Sequence, residues 1–257
     1  MKYKAFHKLS YGLYIITTRF NGENAGYIGN TAFQVTSSPP QIAISCHKKN
    51  TSAEKILQSK KFSLSVLKKK ADTSLIGKFG FMSSSETDKF ENLQTITAAT
   101  GVPIVVDSSV AWFDCKVVSS HDVGTHILII GEVVENEVIS SDKPLTYDYY
   151  REKYKMLAPK NAPTYIEKEK LDSENDPDET NATDKKPDEG KKSISIQEED
   201  EGEKATTYTC SICGFQYNSE EGDPTTGIPP GTPFSELPDD YRCPICNAGK
   251  EYFRENR

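Results

Sequence analysis

The stretch YTCSICGFQY, residues 208–217, is answered further along by DDYRCPICNAG, residues 239–249. Cys210 and Cys213 form one Cys-x-x-Cys pair, and Cys243 and Cys246 form a second. Such a turn aims two thiolates at one ion while its backbone N–H groups face the sulfurs. Two such turns complete a tetrahedral four-sulfur site, which suits zinc or iron. Spacing alone leaves both metals open. The chain has six cysteines, and its N-terminus, MKYKAFHKLSYGLYIIT, lacks an apolar leader with a small-residue cleavage site. Paired thiols in that setting read as metal ligands rather than disulfides.

Outward from the cysteines the composition bounds the function. The 257 residues carry a net charge of −7, which argues against a general binder of nucleic acid or anionic membrane. No apolar run approaches the ~20 residues of a membrane-spanning helix. A soluble cytoplasmic protein is expected. From 167 to 205 large apolar residues nearly vanish, as in SENDPDETNATDKKPDEG (173–190). Such a stretch buries too little apolar surface to offset its ordering entropy, so a flexible acidic linker is expected there. The chain divides accordingly into residues 1–166, the linker 167–205 and a small domain over 206–257.

The N-terminal part reads as mainly β. GLYIITTR (12–19) and FSLSVL (62–67) alternate apolar and polar residues as half-buried strands do. QIAISC, VAWFDCKVV and HILIIGEVVENEVI add further β-rich runs. Asn21–Gly22 predicts a tight hairpin. Thr51 with Glu54 three residues on predicts a capping box opening a helix, and Asp72 predicts a second N-cap. Many strands with short helices predict a closed or nearly closed barrel rather than a doubly wound sheet. There is no Walker loop and no dinucleotide fingerprint. GNTAFQVTSSPPQIAISCHKKNTSAEKI (29–56) places Thr31, Gln34 and Thr36 near a strand end. It also crowds Lys48, Asn50 and Thr51 at a helix N-terminus, where amides and dipole favour an anion. These residues fit a flavin phosphate site, and equally fit ordinary hairpin and capping roles. Cys46, Cys115 and Trp112 read as core, with Cys46 also a candidate for lining a flavin. Lys68–Lys70 read as a solvated turn; Lys89 and Phe90 could edge the site, with a helix-end lysine the other reading of Lys89.

The sequence between the two cysteine pairs resembles rubredoxin. The run GDPTTGIPPGTPFSELPDD (222–240) and the 29 residues between Cys213 and Cys243 follow that family's pattern. The resemblance implies one iron held by Cys210, Cys213, Cys243 and Cys246. It also implies a small core of Tyr208, Phe215, Tyr217, Phe234, Tyr241 and Phe253. A domain of about fifty residues seldom builds enough core alone, so a metal staple makes physical sense. Two residues depart from the family. Tyr241 stands where Trp is usual and needs a partner for its hydroxyl if buried. Asn247 stands where Gly is usual, and is the non-glycine residue that best tolerates a left-handed backbone.

The N-terminal part resembles the flavin reductase-like, FMN-binding split-barrel family. The resemblance rests on the 29–56 stretch with KFSLSVL, SETDKF, GTHILIIGEV and PLTYDYY…NAPTYI. It implies an FMN site from Asn30, Thr31, Ala32, Gln34, Val35 and Thr36 on one side. Ser45, Cys46, His47 and Lys48 would lie with Asn50 and Thr51 on the phosphate side. It also implies a homodimer with the flavin near the subunit interface. His126 matches a family His position and is assigned to the flavin or nicotinamide pocket, against a structural role in its strand. Together the halves resemble the high-molecular-weight rubredoxins. That resemblance implies electron flow from NADH or NADPH to FMN, to the iron and on to a flavodiiron protein reducing O2 or NO, in oxidative or nitrosative stress defence. Two other readings stay open: an FMN and iron relay reduced by another protein, and a zinc-bound docking module at the C-terminus.

Overall fold

The computed structural model describes residues 2–85, 88–154, 162–164, 207–210, 213, 215–246 and 248–256. Strands β1 (Tyr14–Phe20) and β2 (Glu23–Gly29) form the expected hairpin. Its two turn residues, Asn21 and Gly22, have φ of 50° and 82°. Two consecutive positive φ values are what a two-residue turn needs to match strand twist, and Asn-Gly adopts them at least cost.

The remaining strands of the first domain follow. They are β3 (Ala32–Ser37), β4 (Pro40–His47), β5 (Lys61–Leu67), β6 (Thr95–Thr97), β7 (Pro103–Val105), β8 (Ser109–Asp122) and β9 (His126–Val138). Five of these join β1 and β2 in one antiparallel seven-stranded sheet, in the order β2-β1-β5-β8-β9-β4-β3, and β6 pairs with β7. The sheet curls without closing, because edge strands β2 and β3 do not pair with each other. Instead the Tyr27 hydroxyl reaches across the opening to the Ser45 carbonyl at 3.3 Å. This is the mainly β, split-barrel architecture that the sequence predicts.

The expected half-buried alternation of β1 and β5 is not what forms. The central residues of both strands are buried on both faces. Their polar positions face covering elements rather than water: Thr17 and Ser63 share a hydroxyl–hydroxyl bond of 2.6 Å, and Ser63 Oγ donates to the Pro103 carbonyl on β7 at 3.0 Å. A polar side chain can be buried at little cost once its hydrogen bonds are made, so the polar beat marked a second covered face.

Helix α1 (Thr51–Ser59) lays buried Ser52, Ala53 and Ile56 against the barrel. Burying Ile56 completely contributes about 2 kcal/mol. Its N-cap is Asn50, whose side chain accepts from the Ser52 amide at 2.9 Å. The expected capping box at Thr51 is therefore displaced: Glu54 sits one position too late to reach back, and accepts from Gln58 Nε2 instead. Helix α2 (Thr73–Phe81) has the expected N-cap, with Asp72 Oδ1 accepting from the Ser74 amide at 2.9 Å. Helix α3 (Tyr147–Tyr154) follows the barrel. Cys115 and Trp112 are buried as expected. Among the described residues no helix is long and apolar enough to cross a membrane.

The second domain is a three-stranded sheet, order β11-β10-β12, from β10 (Thr207–Cys210), β11 (Gln216–Asn218) and β12 (Phe253–Glu255). The expected aromatic core assembles: Tyr208 stacks on Phe234, and Tyr217, Tyr241 and Phe253 meet at centroid distances near 6 Å. Phe215 closes the edge against Phe253. Asn247 and the linker lie outside the described residues.

Candidate functional site

The four cysteines converge as the two turns predict. Their sulfur atoms all lie within 4.8 Å of one another and all four residues are buried. Cys210 and Cys246 sulfurs are 3.6 Å apart, and Cys213 and Cys243 sulfurs 3.5 Å. Tetrahedral ligation with metal–sulfur bonds of about 2.3 Å separates its sulfurs by roughly 3.8 Å. No pair is bonded as a disulfide. Hydrogen bonds shared among the four thiols lower the pKa of Cys210 and raise those of Cys213 and Cys243. A buried set of four soft donors fits a single iron or zinc. Behind the second knuckle, the Tyr241 hydroxyl donates to Asp223 Oδ2 at 3.0 Å, so the substitution for Trp is satisfied in the core. Burial and the Asp223 carboxylate raise the Tyr241 pKa, which keeps that hydroxyl protonated.

The second feature is a cavity of about 370 Å³ in the first domain, lined in part by the end of β2 and by Ser45 and His47 of β4. Its polar end is the start of α1, with Lys49, Asn50 and Thr51 on the wall. The amides of a helix's first turn and its dipole favour an anion there. Ser52, in the same turn, has a fully buried hydroxyl without a partner among the described residues. The opposite walls are apolar and aromatic, from Tyr27, Ile76, Phe79, Tyr147 and Tyr150. One amide-rich end and one aromatic wall fit a phosphorylated planar ring system such as FMN.

Of the residues expected to bind flavin, Asn30, Ser45, His47, Asn50 and Thr51 line this cavity. Asn30 is buried and donates to Thr164 Oγ1 at 2.7 Å, which ties the 162–164 segment across the opening. Ala162 and Pro163 line the cavity beside it. The others lie off its wall. Thr31 follows Asn30 and donates to Asn30 Oδ1, and Ala32 begins β3. Gln34 and Val35 are exposed on edge strand β3, where Gln34 Nε2 donates to the Thr36 carbonyl. Cys46 points into the barrel core, where burial pushes its thiol up to about 12. Lys48 turns outward to pair with Asp122 at 2.6 Å.

His126 is buried and stands opposite His47 in the β4–β9 register. The two rings meet edge to face at 4.8 Å, so His126 backs His47 and His47 faces the cavity. His47 Nδ1 accepts from the Lys49 amide at 3.1 Å, which places the proton of the neutral ring on Nε2. His126 Nδ1 bonds Thr125 Oγ1 at 2.8 Å.

Lys89 corrects the helix-end reading and follows the other one, at the edge of the site. It is not at a helix end but in a turn beyond α2, lines the cavity and is 3% exposed. Its ammonium donates to the carbonyls of Gly26 (2.9 Å) and Phe79 (3.3 Å). Burial lowers its pKa to about 8. Only its place in the SETDKF motif hinted at this role, because a lone lysine after four polar residues looks like surface.

The family described as flavin reductase like domain matches residues 6–158, and the rubredoxin family matches residues 207–253. The chain is 38% identical over 255 residues to a high molecular weight rubredoxin of Moorella thermoacetica, covering 99% of this chain and all of that one. Over 167 residues, 65% of this chain, it is 44% identical to a ferric-chelate reductase (NAD(P)H) of Archaeoglobus fulgidus, of which it covers 99%. Among solved structures, a nitrilotriacetate monooxygenase component B homologue of Mycobacterium thermoresistibile is similar at 27% identity. That match has a TM-score of 0.50 and covers 56% of this chain and 79% of the other.

Proposed function

Since the chain belongs to the high molecular weight rubredoxins, in which a flavin reductase-like domain precedes a rubredoxin domain, we propose that it oxidises NADH or NADPH and passes the electrons through FMN to one iron and on to an external acceptor. The carrying observation is that one chain holds both an anion-and-aromatic cavity and a buried four-thiolate centre. Bound flavin supplies acceptance of a hydride and its release as single electrons, and iron in four thiolates supplies carriage of one electron at a time. The chain's own residues divide the remaining work.

The start of α1, with Asn50 and Thr51, holds the phosphate. Tyr27, Phe79, Tyr147 and Tyr150 would exclude water from the ring site. Lys89 would contribute a positive charge to the cavity wall, favouring an anionic reduced ring. His47, backed by His126, presents Nε2–H toward the cavity. With both groups bound, a hydride (one proton and two electrons) would leave as one proton to solvent and two single electrons, which Cys210, Cys213, Cys243 and Cys246 would let an iron carry one at a time. The domains are proposed as 1–166, 167–205 and 206–257, with the middle segment a tether that raises the effective concentration of the iron domain.

The acceptor is proposed to be a flavodiiron protein reducing O2 or NO, and the setting a cytoplasmic stress response. A homodimer is proposed, supported by the exposed Phe33 and Val35 on the unpaired edge of β3. The deciding experiment mixes the anaerobic protein with NADH and, separately, with NADPH while following flavin bleaching and the ferric charge-transfer bands. Reduction of both chromophores supports the reading. If neither nicotinamide bleaches the flavin, a relay fed by another protein replaces it. A protein with no colour beyond flavin makes the C-terminal centre a zinc module.

A further inference from the structure

The second cysteine knuckle is seated on helix α2. Thr73 Oγ1, in the first turn of α2, donates to the Pro244 carbonyl at 2.8 Å. One turn further, Gly77 is buried, and a Cβ there would overlap the Ile245 carbonyl oxygen and come within 3.0 Å of the Cys246 Cα. Thr73 and Gly77 are four residues apart and so share one stripe of the helix surface. A glycine inside a helix is disfavoured relative to alanine, and here its missing side chain admits the knuckle backbone. Ile245, between ligands Cys243 and Cys246, is 1% exposed and belongs to one continuous apolar cluster with Leu75 and Ile76.

The neighbouring stripe of the same helix, Ile76 and Gly80, lines the cavity. We propose that the Thr73/Gly77 stripe of α2 is a docking seat for the Pro244–Cys246 knuckle, holding the metal centre across a single helix from the cavity. A helix with its side chains is about 10 Å across, and electron transfer falls steeply with distance, so this seat fixes a short path from cavity to metal. Gly77 is a positioning residue, acting through the knuckle and touching neither cofactor. The seat deepens the proposed function and rests on it only for its role in electron passage.

The test uses the full chain. Gly77→Leu fills the seat, Gly77→Ala fills it with the least bulk, and Thr73→Val removes only the hydrogen bond. Ser74→Leu adds bulk on an exposed position of the same helix as a control. In zinc-loaded protein, amide hydrogen exchange over 73–81 and 243–246 is expected to speed up in Gly77→Leu by about tenfold, equivalent to ~1.4 kcal/mol, with Gly77→Ala and Thr73→Val smaller and Ser74→Leu unchanged. In iron-loaded protein the ferric bands of Gly77→Leu are expected to bleach more slowly by a similar factor, while flavin bleaching keeps its rate. Unchanged exchange and iron reduction in the folded Gly77→Ala and Gly77→Leu proteins overturn the seat. If the flavin is not reduced at all, the proposed function fails while the exchange measurement still decides docking.

Discussion

Replacing Lys89 with methionine tests whether a charged lysine sits inside the cavity wall. Its folded pKa is about 8 against an ordinary 10.5, a gap of roughly 2.5 units. At about 1.36 kcal/mol per unit, the buried ammonium costs up to about 3 kcal/mol below pH 8. The direction follows from proton counts. Between pH 8 and 10.5 the unfolded chain keeps the proton and the folded chain has lost it, so stability rises with pH across that window. Cys46 and Cys115 act in the opposite sense, since burial raises both thiols and stability is lost as the unfolded thiols ionise. Subtracting the Lys89→Met curve from the wild-type curve cancels those contributions. The assay is guanidinium unfolding of flavin-free protein at half-unit steps from pH 7 to 11. The wild-type minus variant stability is expected to be flat below pH 8, to climb by up to about 3 kcal/mol, and to level off above pH 10.5. A flat difference throughout means that Lys89 is solvated and refutes the reasoning.

Two further outcomes follow from local contacts. Asn50→Ala removes the α1 cap; it is expected to cost about 1 kcal/mol in flavin-free protein and to weaken FMN binding, read by urea unfolding and flavin fluorescence titration. Tyr241→Phe removes the hydroxyl donor to buried Asp223; a loss of about 1–3 kcal/mol is expected as earlier thermal bleaching of the ferric bands, with the flavin transition unmoved.

The chain's local chemistry was legible where it is carried by short spacings. Two Cys-x-x-Cys pairs fix four thiols to two tight turns, so their convergence needed no knowledge of the rest. Asn21–Gly22 specified its turn because the backbone there is a two-residue problem, and Asp72 announced α2 for the same reason. Tyr241 shows where that legibility stops: the sequence stated that its hydroxyl needs a partner, but only the packed domain supplied Asp223. Thr51 and Glu54 had the spacing of a capping box, yet Asn50 took the cap, since one residue of shift decides which side chain reaches the free amides.

The tertiary structure decided what is shared between distant segments. Thr17 and Ser63 read as solvent positions until β7 covered them. In sequence, Lys48 reads as the phosphate side of the flavin site and Lys89 as either the site's edge or a helix end. The fold turned Lys48 out to Asp122 and folded Lys89 under Gly26 and Phe79. The β4–β9 register set His126 behind His47. Gly77 carries no signal in the sequence, and only the fold sets it against the Ile245 carbonyl. By itself the sequence determined ligand types, turns and the division into two domains, because these depend on neighbours along the chain. Which side chains face the cavity, and which helix faces the cysteines, depends on contacts between residues far apart, and those exist only once the sheet has curled.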